Sequence, residues 1–314
     1  MQLLLVFFTF FVWASSFSLA KAAMYYGPPL LVTGTRMVLA GILILSFLFL
    51  FRRSSVKVTK RQVLPLILLS LSSVYLANAF EFWGLQYLSA AKACFIYSLS
   101  PFIAAALSYF QFKEKITKRK ILGLVVGFIG FSPVFLFESG SEHLVGTFCG
   151  FSWAEIALIA ATLTSVYGWV LLRKLGKDEG MSPVTANGAS MLIGGVMALV
   201  HSAVVEGVSP LPVSDVPQFF KWIFLIILTS NLICYNLYGW LLKRFTATFL
   251  SFAGLTTPIF AAVWGFLLHA ETMPWPFFLS MGVITLGLWL VYSEELRLGY
   301  IVKKNSAPVN QGSA

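Results

Sequence analysis

Apolar runs of about twenty residues recur from one end of this chain to the other, separated by short polar or basic segments. A helix of that length crosses roughly 30 Å of hydrocarbon. The pattern predicts ten spans, at 2–21, 29–51, 62–83, 88–111, 119–137, 152–172, 183–205, 218–242, 247–268 and 274–293. Spans two and seven open on prolines, Pro29 and Pro183. Proline suits the first turn of a helix because its missing N–H had no partner there. The expected class is an all-α polytopic membrane protein without a separate soluble domain.

The stretch 88–118 has an echo at 245–275. Ser100-Pro101-Phe102-Ile103-Ala104-Ala105 falls on Thr257-Pro258-Ile259-Phe260-Ala261-Ala262, an offset of 157 positions (257 − 100). The same offset carries Trp83 onto Trp240 and Glu114 onto Glu271. One gap-free offset matching several rare residue types points to duplication: a first five-helix unit at 1–138, a second at 152–293, and a tail at 294–314. Five is odd, so the second unit enters the membrane from the opposite side. Such inverted repeats are common in secondary transporters, which hold their substrate near the midplane.

Composition agrees, with 58% of residues hydrophobic and 11% charged, against roughly a quarter charged in soluble domains. A net charge of +10 first suggests nucleic acid, but its distribution does not. Eighteen of the 22 basic residues fall in alternate loops and the tail, all on one side of a ten-span chain. The positive-inside rule puts that side, with both termini, in the cytoplasm, as in a bacterial inner-membrane protein. The charge is then explained by topology and anionic lipid, and the lipid bilayer, not nucleic acid, is the expected surrounding. No basic residue precedes the first apolar run, so it reads as a membrane helix rather than a cleaved signal. Cys94, Cys149 and Cys234 are unclustered, and His143, His201 and His269 form no ligand pairing, so no metal and no cofactor is expected.

Charges inside a bilayer are costly and face a cavity or a partner. Arg36, Glu81 and Lys92 fall inside spans. A tight turn joins spans three and four, so Glu81 and Lys92 can approach each other; a substrate site and a structural ion pair both fit them. Arg36 fits a site or helix packing. Tyr75, Asn78 and Glu81 share one helical face, as do Asn231, Tyr235 and Tyr238. Under the 157 offset Tyr235 falls on Asn78 and Tyr238 on Glu81, so the two faces are expected to meet across the centre. They would line a polar cavity or bond helix to helix. Trp13, Phe17, Tyr97, Tyr167 and Trp169 offer rings to a planar or cationic ligand, or face lipid. Glu81 is the expected interior carboxylate, with Glu155 near the outer interface. Gly123, Gly127, Gly130, Gly282 and Gly287 are expected at close helix contacts. Pro101 and Pro258 are expected to bend their helices in mid-span.

The chain resembles the drug/metabolite transporter superfamily in its EamA-type branch. The resemblance rests on Trp13-Ala14-Ser15-Ser16-Phe17, Arg36, Ser98-Leu99-Ser100-Pro101, Glu114 with Gly123 and Gly127, Thr257-Pro258 and Glu271, in that order and spacing. It implies solute transport without ATP, and the chain has no GxxxxGK[ST] phosphate loop. Ser15 and Ser100, within these motifs, complete the candidate substrate-binding set. As a whole the chain is also similar to the S-adenosylmethionine/S-adenosylhomocysteine transporters of obligate intracellular bacteria. That likeness implies a small-molecule substrate, S-adenosylmethionine or another amino-acid-like metabolite, taken up by alternating access in exchange for S-adenosylhomocysteine. The alternative is an exporter of amino acids or related metabolites. A membrane enzyme would need convergent acid–base residues, and none is legible. The oligomeric state is not legible either.

Overall fold

The computed structural model describes residues 2–52, 58–88, 96–137, 146–148, 151–207, 212–257, 259–260 and 275–300. Helices α1 (Gln2–Met24), α2 (Pro29–Phe51), α3 (Lys60–Leu85), α4 (Ser100–Phe112) and α5 (Lys118–Phe137) form the first part. The second part comprises α6 (Trp153–Lys177), α7 (Pro183–Val205), α8 (Val216–Leu241), α9 (Ala247–Thr256) and α10 (Trp275–Arg297). Among the described residues, α2, α3, α6, α7 and α8 are long and apolar enough to cross a membrane. Between the two parts, β1 (Thr147–Phe148) pairs antiparallel with β2 (Phe151–Ser152), a small ladder the apolar pattern did not signal.

Local chemistry sets the helix starts. Pro29 and Pro183 occupy the first turns of α2 and α7. Ser152 and Glu155 form a reciprocal capping box on α6: the Ser152 Oγ accepts from the Glu155 N–H, and the Glu155 carboxylate accepts from the Ser152 N–H. Asp215 caps α8 and Thr246 caps α9. The first turn of α2 is capped from another helix. Glu206, at the end of α7, accepts from the Leu30 and Leu31 N–H groups at 2.8 and 2.9 Å.

The packing is reciprocal. α1 packs on α8 and α6 on α3; α4 meets α6 and α9 meets α1; α3 meets α7 and α8 meets α2. Exchanging the first five helices with the second five leaves this set unchanged. α2 and α7 pack together along their length, as do α5 and α10, while α4 packs on α9. Glycine makes the α2–α7 approach possible. A Cβ at Gly41 would lie 2.7 Å from the Leu192 amide nitrogen, and one at Gly195 would lie 2.7 Å from that of Val38. Both partner positions are related by the same shift of 154 residues (195 − 41 and 192 − 38). Small residues of this kind hold membrane helices by close van der Waals contact. Gly123, Gly130 and Gly287 do the same between α5 and α10, and Gly127 seats the Phe252 ring. Among the described residues, none lies within 4 Å of the Cβ position of Gly282.

Two further features depart from the apolar pattern. α3 and α8 each contain a π-helical segment, Ser70–Leu76 and Ile227–Cys234. The second starts 157 residues after the first (227 − 70), the offset found in the sequence. Such wide turns leave carbonyls to be satisfied by other groups and occur at functional sites. In α3 the Asn78 amide donates to the Ser73 and Val74 carbonyls. In α8 the Asn236 amide donates to Asn231 and Leu232. Ile96 and Tyr97 are helical, a turn follows at Ser98 and Leu99, and Pro101 lies in the first turn of α4, so the helical path is interrupted next to the proline. The missing N–H and the restricted preceding residue favour a fresh start there. Pro258 and Glu271 lie outside the described residues.

Candidate functional site

The centre of the bundle brings four aromatic rings together. Trp13 comes from α1, Trp169 from α6, and Tyr235 and Tyr238 from α8. Trp169 lies 4.4 Å from Tyr238 and 5.3 Å from Tyr235 between ring centroids. Trp13 lies 5.4 Å from Tyr235, 5.6 Å from Tyr238 and 5.8 Å from Trp169. Phe10 backs the group edge-on to Tyr238. Phe10 also stacks on Trp13 at 12°, while the planes of the four rings meet at 44° to 86°, tilted or edge to face. Clustered aromatic faces are attractive to a cation or a planar heterocycle.

A polar group adjoins the rings. The Arg36 guanidinium on α2 is buried and donates from Nη2 to the Asn78 Oδ1 at 2.5 Å. It lies over the Phe82 ring, 5.6 Å from its centre. Tyr235 lies close to Asn78 and Arg36, which brings the guanidinium and the aromatic group side by side. Glu81 lies one turn beyond Asn78, within electrostatic reach of Arg36. The Tyr97 hydroxyl donates to the Glu81 Oε2 at 2.9 Å. Among the described residues, the Arg36 Nε, the Thr33 Oγ1 and the Asn231 Oδ1 are buried without a hydrogen-bond partner. Buried polar atoms are normally satisfied; others left without a hydrogen-bond partner lie at the basic end, on Glu114, Arg173 and Glu295. The Asn231 Nδ2 donates to the Met37 and Met191 sulfurs, at 3.0 and 3.7 Å.

The structure thus brings Trp13, Trp169, Tyr235, Arg36, Asn78, Glu81 and Tyr97 into one region, with Asn231 behind it. The other sequence candidates are placed elsewhere. The Ser15 Oγ donates to the Val12 carbonyl of its own helix. Tyr75 turns to His201, with its hydroxyl 3.2 Å from the Nδ1. Tyr167 is 36% exposed on the outer face of α6. Ser100 is half-buried at the start of α4. Lys92 lies outside the described residues, and so does the Phe17 side chain. Tyr238 and Phe10 join the group although neither was in the candidate set. Tyr238 shared its helical face with Asn231 and Tyr235, a signal that could have included it.

The bundle buries a second charged group, at the end that carries the basic loops. The Arg173 Nη1 lies 2.6 Å from the Glu114 Oε1, and the Lys120 Nζ lies 2.8 Å from the Glu295 Oε1. Arg173 also covers the Phe112 ring, 4.5 Å from its centre. The Thr246 hydroxyl donates to the Glu295 Oε2 at 2.5 Å. All five polar residues are almost wholly buried. Reading Glu81 and Glu155 as the interior carboxylates therefore missed Glu114, Glu294 and Glu295. Hydropathy assigned the last two to the tail, yet α10 continues to Arg297.

Comparison with known proteins fits this architecture. The EamA-like transporter family matches at residues 1–136 and 152–293, and the chain belongs to that family. It is therefore a multi-pass membrane transporter and not an enzyme. It is 44% identical over 303 residues to a protein of Chlamydia trachomatis serovar L2 named S-adenosylmethionine/S-adenosylhomocysteine transporter, covering 96% of this chain and 92% of that one. A Chlamydia muridarum protein of the same name is also 44% identical, covering 96% and 95%. A solved crystal structure shares the fold with a TM-score of 0.75 at 15% identity, covering 94% of this chain and 97% of that one.

Proposed function

We propose that the chain exchanges S-adenosylmethionine for S-adenosylhomocysteine across a bacterial inner membrane, by alternating access of two inverted five-helix repeats. The observation that carries this reading is the site as a whole: a four-ring aromatic group beside a buried guanidinium held by Asn78, with a carboxylate in reach. S-adenosylmethionine presents complementary chemistry. It has a carboxylate and an ammonium on an amino-acid head, a sulfonium, and a flat adenine. In this reading Arg36 takes the carboxylate and Glu81 the ammonium. The aromatic group takes the sulfonium or adenine, and Asn78 or Asn231 its polar edges. The names and high identity of the chlamydial relatives support the same substrate pair.

Support for the repeats comes from the reciprocal packing, the π-helical segments at one offset and the two family matches. The basic loops orient their end toward the cytoplasm. Proteoliposomes test the function directly. Uptake of radiolabelled S-adenosylmethionine, stimulated by S-adenosylhomocysteine inside, is the expected result. Folded protein that takes up neither compound removes this substrate and moves the metabolite-exporter reading to first place.

A further inference from the structure

We propose that the buried ion pairs Glu114–Arg173 and Lys120–Glu295 form the inner gate, which opens and re-forms in each transport cycle. The inference rests on the alternating-access reading but not on the identity of the substrate. Its first ground is connectivity. Glu114 follows α4 and Lys120 begins α5, whereas Arg173 ends α6 and Glu295 ends α10. Each ion pair therefore joins the first five helices to the second five. Each side contributes one anion and one cation, so the closed cluster is neutral.

The second ground is position. Thr246, which holds Glu295, is the N-cap of α9. Five residues further along that helix, Ser251 lies close to the Tyr238 ring of the aromatic group. The cluster thus lies between the central site and the basic end. Its local backbone is arranged for the purpose. Lys113, at the end of α4, adopts the left-handed conformation with φ 55°, the only such non-glycine residue among those described. That turn ends the helix and presents Glu114 to Arg173. The Tyr300 hydroxyl, beyond α10, accepts from the Lys115 N–H at 2.7 Å and steadies the same loop.

The third ground is chemistry. A permanent seal between helices needs only close apolar packing, which α2–α7 and α5–α10 already use. Buried ion pairs offer little net stability over apolar replacements, because both charges lose their hydration. Water entering the gap restores that hydration, so charged pairs part and re-form at small net cost. Removing one partner alone leaves an unpaired buried charge, which favours the hydrated, open arrangement.

Cysteine accessibility without substrate tests the gate. In protein whose three native cysteines are replaced, Thr248→Cys, fully buried just above the cluster, reports opening. A charged, membrane-impermeant thiol reagent is applied from the side of the basic loops. Ala40→Cys, buried on α2 within the glycine-packed core, serves as the control. Glu114→Gln and Lys120→Gln should each speed modification at position 248 by about tenfold or more and leave position 40 unchanged. Combining Glu114→Arg with Arg173→Glu should slow position 248 again. Unchanged rates at 248 in both single variants would overturn the proposal, because the pairs would then be static. Equal acceleration at 40 and 248 would also overturn it, showing that the pairs hold the fold rather than a gate. Absence of S-adenosylmethionine exchange with this labelling pattern intact would remove the substrate and leave the gate.

Discussion

The bundle buries charge in two places, and it treats them differently. At the basic end buried charges meet their opposites, Glu114 with Arg173 and Lys120 with Glu295. At the centre Arg36 rests on a neutral amide and a ring face, with its Nε unpartnered among the described residues. Glu81 accepts from a neutral hydroxyl and feels Arg36 only at a distance. A charge paired with its opposite is already neutralised, whereas a charge resting on neutral groups can still take a ligand that brings the opposite charge. The contrast separates a closure from a binding site within one apolar bundle.

The sharpest way to break this comparison is to remove the central cation. Arg36→Ala should weaken S-adenosylmethionine binding in detergent by about a hundredfold or more, since a buried hydrogen-bonded charge pair typically costs 2–5 kcal/mol when truncated. Calorimetry reads the loss, and affinity equal to wild type would take Arg36 out of the site. The next effect is at Glu81. Glu81→Gln should reduce affinity by about tenfold to thirtyfold, because a neutral amide still accepts from the ammonium but no longer neutralises it. The same change should affect a ligand lacking the ammonium far less.

A smaller change sharpens the aromatic half of the site. Trp169→Leu should cost about tenfold for S-adenosylmethionine and less for S-adenosylhomocysteine, which lacks the sulfonium charge, as expected when a ring face is taken from a desolvated cation. Equal losses for both compounds would assign the rings to the adenine instead. The smallest effect belongs to the outward face. Tyr167→Phe should change binding by less than about twofold, in line with a substitution away from any packed or paired feature. Competition binding with either nucleoside would detect a larger change.

Much of this architecture was legible in the chain. Helix starts at Pro29 and Pro183 follow from proline chemistry and are found there. The 157-residue offset is repeated in the π-helical segments, although no residue pattern announced the π turns themselves. The candidate site was legible where side chains lay on one helical face: Asn78 with Glu81, and Asn231 with Tyr235. It was not legible where the helix face had no polar marker. Tyr167 and Trp169 look alike in sequence, yet two residues along a helix turn one to the exterior and the other to the centre.

The sequence by itself determined what local physics can determine. Runs of apolar residues demand helices in lipid because every backbone polar group must be satisfied within the segment. Proline and capping residues set where those helices begin, and the alternation of basic loops marks one end of the bundle. Only the tertiary structure decided which charges complete one another. Glu114 and Arg173 are far apart in the chain, and Glu295 sits in what reads as a polar tail. Ion pairing is long-range in sequence and depends on which helix ends converge. Hydropathy, which scores each segment alone, carries no information about that convergence, so the paired cluster and the central site emerge only when the helices are packed.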